Sequence, residues 1–303
     1  MSAQRPPRFG SLERRDRLFA LACVAPAVIL IAVLIIYPVI YTFWLSLHKQ
    51  QLFEQTGRFI GFANYAFFLR SNEFWRSLLN GVIFAGGSLA LQTIIGVAFA
   101  LLLNRPFFGR SIARGALMFP YLVPTVVAIL VFRWILNDLY GILNAALMGM
   151  GWIAEPIAWF GNAFMAMTTL IAINTWMFYP FVMLTVLARL QSIPGELYEA
   201  ALIDGAGPLA RFWHITLPQI SGTLALVLLV RTLWMFNKFD AVWLTTQGGP
   251  FGSTQTLPIL AYIHAFNLYD VGRGAAVGML LCIVLVFVFA IYYRSLVANR
   301  GQA

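Results

Sequence analysis

Six stretches of this chain run for eighteen residues or more without a single Lys, Arg, Asp or Glu: Leu18–Leu47, Ser77–Asn104, Gly115–Phe132, Pro156–Ala188, Phe212–Val230 and Gly274–Tyr293. A hydrocarbon core of about 30 Å is crossed by a helix rising about 1.5 Å per residue, so about 20 apolar residues make one span. Six such stretches imply an all-α membrane protein with six transmembrane helices. Charged residues are only 10% of the chain, against roughly a quarter in a soluble domain, too few to cover a water-facing surface. Ala241–Tyr269 is also charge-free, but it carries Thr245, Thr246, Gln247, Gly248, Gly249 and Pro250 in a row. A lipid-exposed helix does not tolerate that cluster. The segment reads as an outer loop leading into a short helix at about 257–266.

The net charge of +9 follows the membrane rather than a nucleic acid. On a six-span count with the N-terminus inside, Arg5, Arg8, Arg14, Arg15, Arg17, Arg105, Arg110, Arg114, Arg189, Arg211, Arg294 and Arg300 all face the cytoplasm. The other side carries Lys49, Arg58, Arg70 and Arg76 in a loop that also holds Glu54 and Glu73, and Arg273 close to Asp270. This asymmetry is the positive-inside signal, and it argues for membrane lipid and against nucleic acid as a partner. Both termini are then cytoplasmic. The apolar run after Arg14-Arg15 is too long for a signal-peptide core and continues through Pro38 to Trp44, so it reads as an uncleaved first span. Residues 1–16 read as a cytoplasmic tail and 17–298 as a single membrane domain.

Within the spans, Gly81, Gly86, Gly87, Ser88 and Gly96 suit a second helix packed closely inside a bundle. Pro120 and Pro124 bend the third. Tyr37, Tyr41 and Trp44 suit the outer interface. No nucleophile sits with a base and no metal-ligand spacing exists, which argues against a membrane-embedded enzyme. The only lysines, Lys49 and Lys238, lie outside any phosphate-loop context, so ATP hydrolysis is not a property of this chain.

The loop 189–219 is the most informative segment. Pro194-Gly195 followed by Glu196 and Glu199 places acids in a first helical turn, where the dipole favours them. Gly205 breaks that helix, Pro208 begins a second, and Pro218 ends it before the fifth span. The residues alone allow two readings, an amphipathic interfacial loop or a rigid docking knob.

The pattern Glu199-Ala200-Ala201, Gly205, Ile215 and Leu217-Pro218, with Asp204 and Ala206 around the glycine, resembles the signature loop of binding-protein-dependent ABC importer permeases. The Asp-Gly-Ala core is common in the sugar-importing branch. Phe236, Phe239-Asp240, Leu244-Thr245 and Gly248-Gly249-Pro250 are similar to a segment of the maltose-F and glycerol-phosphate-A type permeases. The similarity runs from Ala25-Pro26 through the last span, and only these two segments are specific. It implies the type I ABC importer permease fold in a bacterial or archaeal inner membrane, carrying a sugar or sugar derivative. It also implies a second, different permease, a cytoplasmic ATPase homodimer seated on this loop, and a periplasmic or lipid-anchored solute-binding protein. ATP and Mg would belong to the ATPase, with no cofactor on this chain. One departure is that relatives carry an acid three residues after the arginine matching Arg231, where this chain has Trp234. Asp240 or an anionic substrate group is then left to pair with Arg231.

Ionisable residues inside a membrane are costly and usually face a cavity. Arg231, Lys238 and Asp240, assigned to the fifth span, and Asn174 on the fourth are therefore substrate-path candidates. Trp176, Tyr179, Trp234 and Asn237 supply the aromatic faces and planar hydrogen-bonding groups that sugars use. The same aromatics also serve as interfacial anchors, and Asn174 as a bond to a neighbouring helix. An ion-coupled carrier or channel is the competing class, but it normally needs charged relays at mid-membrane and often a repeated half.

Overall fold

Backbone surrounded by lipid must satisfy its own N–H and C=O groups, and in this chain it does so almost entirely as helix. The computed structural model describes residues 10–54 and 56–300. The expected tail therefore falls mainly outside the described residues, and α1 (Gly10–Ile31) already begins at Gly10.

A π turn, Ala32–Ile36, joins α1 to α2 (Tyr37–Ser46) as one continuous first span. Tyr37, Tyr41 and Trp44 stack along α2 at 6.2 and 5.8 Å between ring centroids. A two-residue hairpin, β1 (His48–Lys49) against β2 (Arg58–Phe59), and α3 (Ala63–Arg70) follow. Buried Asn64 pins this loop by donating to the carbonyls of Ser46 and His48. The second span is α4 (Asn72–Asn104), capped by Ser71 Oγ. The fourth is α8 (Ala163–Gln191), the fifth α11 (Leu217–Phe236), and the last α14 (Val271–Arg300).

Among the described residues five helices are long and apolar enough to cross a membrane, or six where a sharply bent pair is counted as one span. That pair covers the third span expected at 115–132, and of the two prolines expected to bend it only Pro124 stands at the break. α5 (Arg110–Leu122) and α6 (Thr125–Ile135) meet at 92°. Pro124 has no N–H to donate, and its ring drives Val123 into the extended conformation observed there. Pro120 is tolerated inside α5. α7 (Ile142–Gly149) lies in the loop leading to α8.

α8 is the hub and the most buried of the long helices, whereas the apolar stretch of the first span is exposed. α4 crosses α8 at Gly96, where an added Cβ would lie 2.7 Å from the Cβ of Val182 and 3.0 Å from the Met183 nitrogen. Only a glycine permits that approach, as the small residues of this stretch suggested. The first span touches the rest mainly through α2 on α14.

The fifth span also departs from expectation. α10 (Pro208–Arg211), a π turn at Phe212–Thr216 and α11 form one rod, Pro208–Phe236. Pro218 does not stop it, because the widened turn just before the proline absorbs the missing hydrogen bond. The helix ends at Phe236, so Lys238 lies beyond the fifth span in the turn to α12 (Asp240–Thr246), and Asp240 is the first residue of α12. α13 (Leu257–Tyr262) with its π extension to Asn267 is the short helix expected at 257–266.

Candidate functional site

Two regions carry the sequence candidates, one at the end of the bundle rich in arginine and one at mid-membrane. The first is built on α9 (Glu196–Ile203), which buries no residue. Gly205 ends it at φ +75°, with the Ala206 N–H donating to the Ala201 carbonyl at 2.8 Å. This is the left-handed cap that glycine favours. Glu199, Ala200 and Asp204 are exposed, Ala201, Ala206, Ile215 and Leu217 half-buried, and Pro218 exposed. Leu202, Ile203, Leu209 and Trp213 present an apolar face to solvent.

Contacts that sequence reading missed hold this loop on its helices. Arg189, at the end of α8, donates through Nε to the Gln219 carbonyl at 2.9 Å and through Nη2 to Gln219 Oε1 at 3.0 Å. Its Nη1 reaches Ser192 Oγ at 3.2 Å. Tyr198 Oη lies 3.1 Å from Thr216 Oγ1, clasping α9 to the π turn. The two limbs of the loop are thus locked to each other where they leave the bundle.

The second region is a buried polar cluster between α4, α8 and α11. Arg231 is 1% exposed, and Gln92, Asn174 and Ser88 are fully buried. Arg231 donates from Nε and Nη2 to Gln92 Oε1, at 3.2 and 2.8 Å. Gln92 Nε2 donates to the Asn174 carbonyl at 3.3 Å, and Asn174 Nδ2 to Ser88 Oγ at 3.3 Å. The Arg231 guanidinium carbon lies 4.6 Å from the Phe178 ring centroid, 5.7 Å from Trp234 and 5.9 Å from Phe181. Cations over aromatic faces are attracted by the ring quadrupole, so rings and an amide hold the charge. The pairing with Asp240 left open by the sequence does not form. Asp240 Oδ2 accepts from Lys238 Nζ at 3.1 Å, and Nζ lies 4.7 Å from the other cation's ring, Phe178.

Helical spacing explains the grouping. Asn174, Phe178 and Phe181 share one stripe of α8, and Arg231, Trp234 and Met235 one stripe of α11. The other candidates point elsewhere. Trp176 packs edge-on against Phe132 of α6 at 5.0 Å. Tyr179 Oη donates to the Leu117 carbonyl of α5 at 3.0 Å. Asn237 caps α11 by donating to the Leu233 carbonyl. Trp234 is 48% exposed and Phe178 and Phe181 are half-buried, so the aromatic layer opens on the bundle surface.

Residues 92–300 match the model of the binding-protein-dependent transport system inner membrane component family. The chain belongs to that family. It is the membrane-spanning permease of an ABC importer, an integral inner-membrane protein, and the ATPase resides on a separate subunit. This permease is 38% identical over 282 residues to the trehalose/maltose transport system permease protein MalF of Thermococcus litoralis, covering 93% of this chain and 94% of that one. It is 34% identical over 286 residues to the sulfoquinovosyl glycerol transport system permease protein SmoG of Agrobacterium fabrum, covering 93% and 92%. Its fold matches a crystal structure of a bacterial ABC transporter involved in import of the acidic polysaccharide alginate, with a TM-score of 0.82 at 22% identity over 96% of this chain and 98% of that one.

Proposed function

We propose that this permease carries a sugar or sugar derivative, delivered by an extracytoplasmic binding protein. It would work beside a second, different permease and an ATPase homodimer that holds ATP and Mg and seats on the 189–219 loop. The arginine-rich end is then cytoplasmic, with both termini inside. The relatives' names, which speak of trehalose, maltose and sulfoquinovosyl glycerol, support the carbohydrate class. The aromatic layer with an arginine beneath it is chemistry that stacks on sugar C–H faces and bonds their hydroxyls.

The observation that carries the mechanism is continuity. α8 and α11, which bear the Asn174–Arg231 cluster, are the helices that run into the loop. Arg189 and Gln219 lock those helices together at the loop's base. From Arg189 to Phe178 is about 16 Å of helix, and from Leu217 to Arg231 about 21 Å. A push on α9 by a closing ATPase dimer would therefore reach the aromatic layer through two stiff rods. Exposed α9 and the residue after it present Glu199 and Asp204 as charge and Leu202 and Ile203 as apolar contact for that partner.

The test is purification of the tagged chain from native membranes in mild detergent, beside a Gly205→Val variant that strains the loop. An ATPase and a second permease should co-elute with wild type, and the variant should lose the ATPase alone. The partner binding protein then identifies the sugar by calorimetry. Elution of the wild-type chain without an ATPase would overturn the docking role of this loop.

A further inference from the structure

The arginines at the loop-bearing end differ in what they already hold. Arg189 gives its donors to Gln219 and Ser192. With the Gln191 amide oxygen turned towards them, Arg110 and Arg114 converge on it at 2.8 and 3.2 Å. Arg105 follows the last residue of α4, and Arg211 is the last of α10. Among the described residues neither pairs with a carboxylate, and the buried Nε of Arg211 has no hydrogen-bond partner.

Both arginines line one cavity of about 460 Å³ between the end of α4 and the underside of the loop. Asn104, Tyr198 and Thr216 add neutral polar groups to its wall, Leu101 and Phe212 an apolar strip, and among the described residues no acid lines it. The Tyr198–Thr216 contact adds a hydroxyl pair to that wall. Two guanidinium groups beside one cavity, with no counter-charge among the described residues, are matched by a tetrahedral oxyanion, whose oxygens accept their forked donors. Basic pockets between spans on the cytoplasmic side are suited to phospholipid headgroups, and the apolar strip fits the start of an acyl region.

We propose that this cavity binds a phosphate group, carried by an anionic phospholipid headgroup or as inorganic phosphate, between Arg105 and Arg211. Arg105 stands at the end of a span and Arg211 on the loop, so a bound phosphate ties the loop to the bundle and restricts its travel. The site is independent of the sugar reading and of the transported solute.

The experiment takes the importer purified with its partner subunits in neutral detergent. Native mass spectrometry follows titration with dioleoylphosphatidylglycerol, dioleoylphosphatidylcholine or inorganic phosphate. The variants are Arg105→Gln/Arg211→Gln, Arg105→Lys/Arg211→Lys and Arg294→Gln, each checked for subunit composition and wild-type melting. One phosphatidylglycerol per chain should bind in preference to phosphatidylcholine. Its affinity should fall about tenfold or more in the glutamine pair, the loss from removing two charge-assisted contacts. It should largely return in the lysine pair and be unchanged in Arg294→Gln. The same dependence seen with inorganic phosphate and not with the lipid would assign the free ion as the source. Equal binding of both probes by wild type and the glutamine pair overturns the proposal. So does a glutamine pair that keeps its lipid and phosphate binding but loses the ATPase, because the cavity then receives an acidic side chain of that subunit.

Discussion

Replacing Gly205 separates backbone conformation from side-chain size at the loop. Its φ of +75° lies in the left-handed region, and an added Cβ would meet nothing within 4 Å. Bulk therefore costs nothing within this chain, and the penalty is conformational. A residue with a Cβ pays roughly 1–2 kcal/mol in this region, asparagine less, and a β-branched residue more. Between one and two kcal/mol is about a 5- to 30-fold change in the ratio of capped to uncapped loop. Hydrogen exchange at the Ala206 amide, which bonds the Ala201 carbonyl, reads that ratio, and solute-stimulated ATPase activity in proteoliposomes reads its consequence. Both should rank glycine, then asparagine, then alanine, then valine. Full activity in Gly205→Ala with none in Gly205→Asn would refute the reasoning, because the position would then be read by space against a partner.

Three further substitutions test the bundle. Gly96→Val should force α4 from α8 and cost about 1–3 kcal/mol, seen as a lower melting temperature in detergent; unchanged melting would deny the close crossing. Gln92→Leu leaves the Arg231 guanidinium without its oxygen acceptor, a loss of about 1.5–3 kcal/mol for a hydrogen bond to a charged group, so its folded yield should fall below that of Arg231→Met. Equal yields would show that the amide does not hold the charge. At the opposite end, burial pushes the His264 imidazole below the ordinary value, against the pull of the Glu73 carboxylate 3.8 Å away and of Asp270, while Arg273 adds to the depression. The unfolded chain then takes up a proton that the folded chain refuses, so stability is full above about pH 6.5 and falls as the pH drops below it. Melting temperatures from pH 8 to 5 should show this decline, flattened in His264→Asn, and acid stabilisation of wild type would contradict it.

The spans were legible because the solvent imposes a requirement that can be counted along one dimension, charge-free length. The loop was legible because Gly205 and its neighbours have fixed spacing. What escaped depends on how helices are turned and packed. Pro124 and Pro218 show this plainly. Pro124 sits where Val123 turns extended and breaks a span, whereas Pro218 follows a π turn and leaves the rod intact. Each residue of α8 turns about 100° around the axis, so Trp176 and Tyr179 serve α6 and α5 while Phe178 and Phe181 face Arg231. Gln92 went unread because a lone amide in an apolar run carries no motif. Its signal was indirect, since a buried arginine without an acid needs an acceptor somewhere. Arg189 and Gln219, thirty positions apart, become partners only when two rods converge.

The right-angled break between α5 and α6 bears on how thick the seal is along that flank. α5 has 13 residues and rises about 20 Å, two-thirds of a hydrocarbon layer of about 30 Å. α6 turns away from α5 at 92° and is fastened where Arg133 donates to the Leu244 carbonyl at 3.1 Å. Tilting one short helix about Val123–Pro124 would uncover a passage on that flank that a full-length span would open only by sliding bodily.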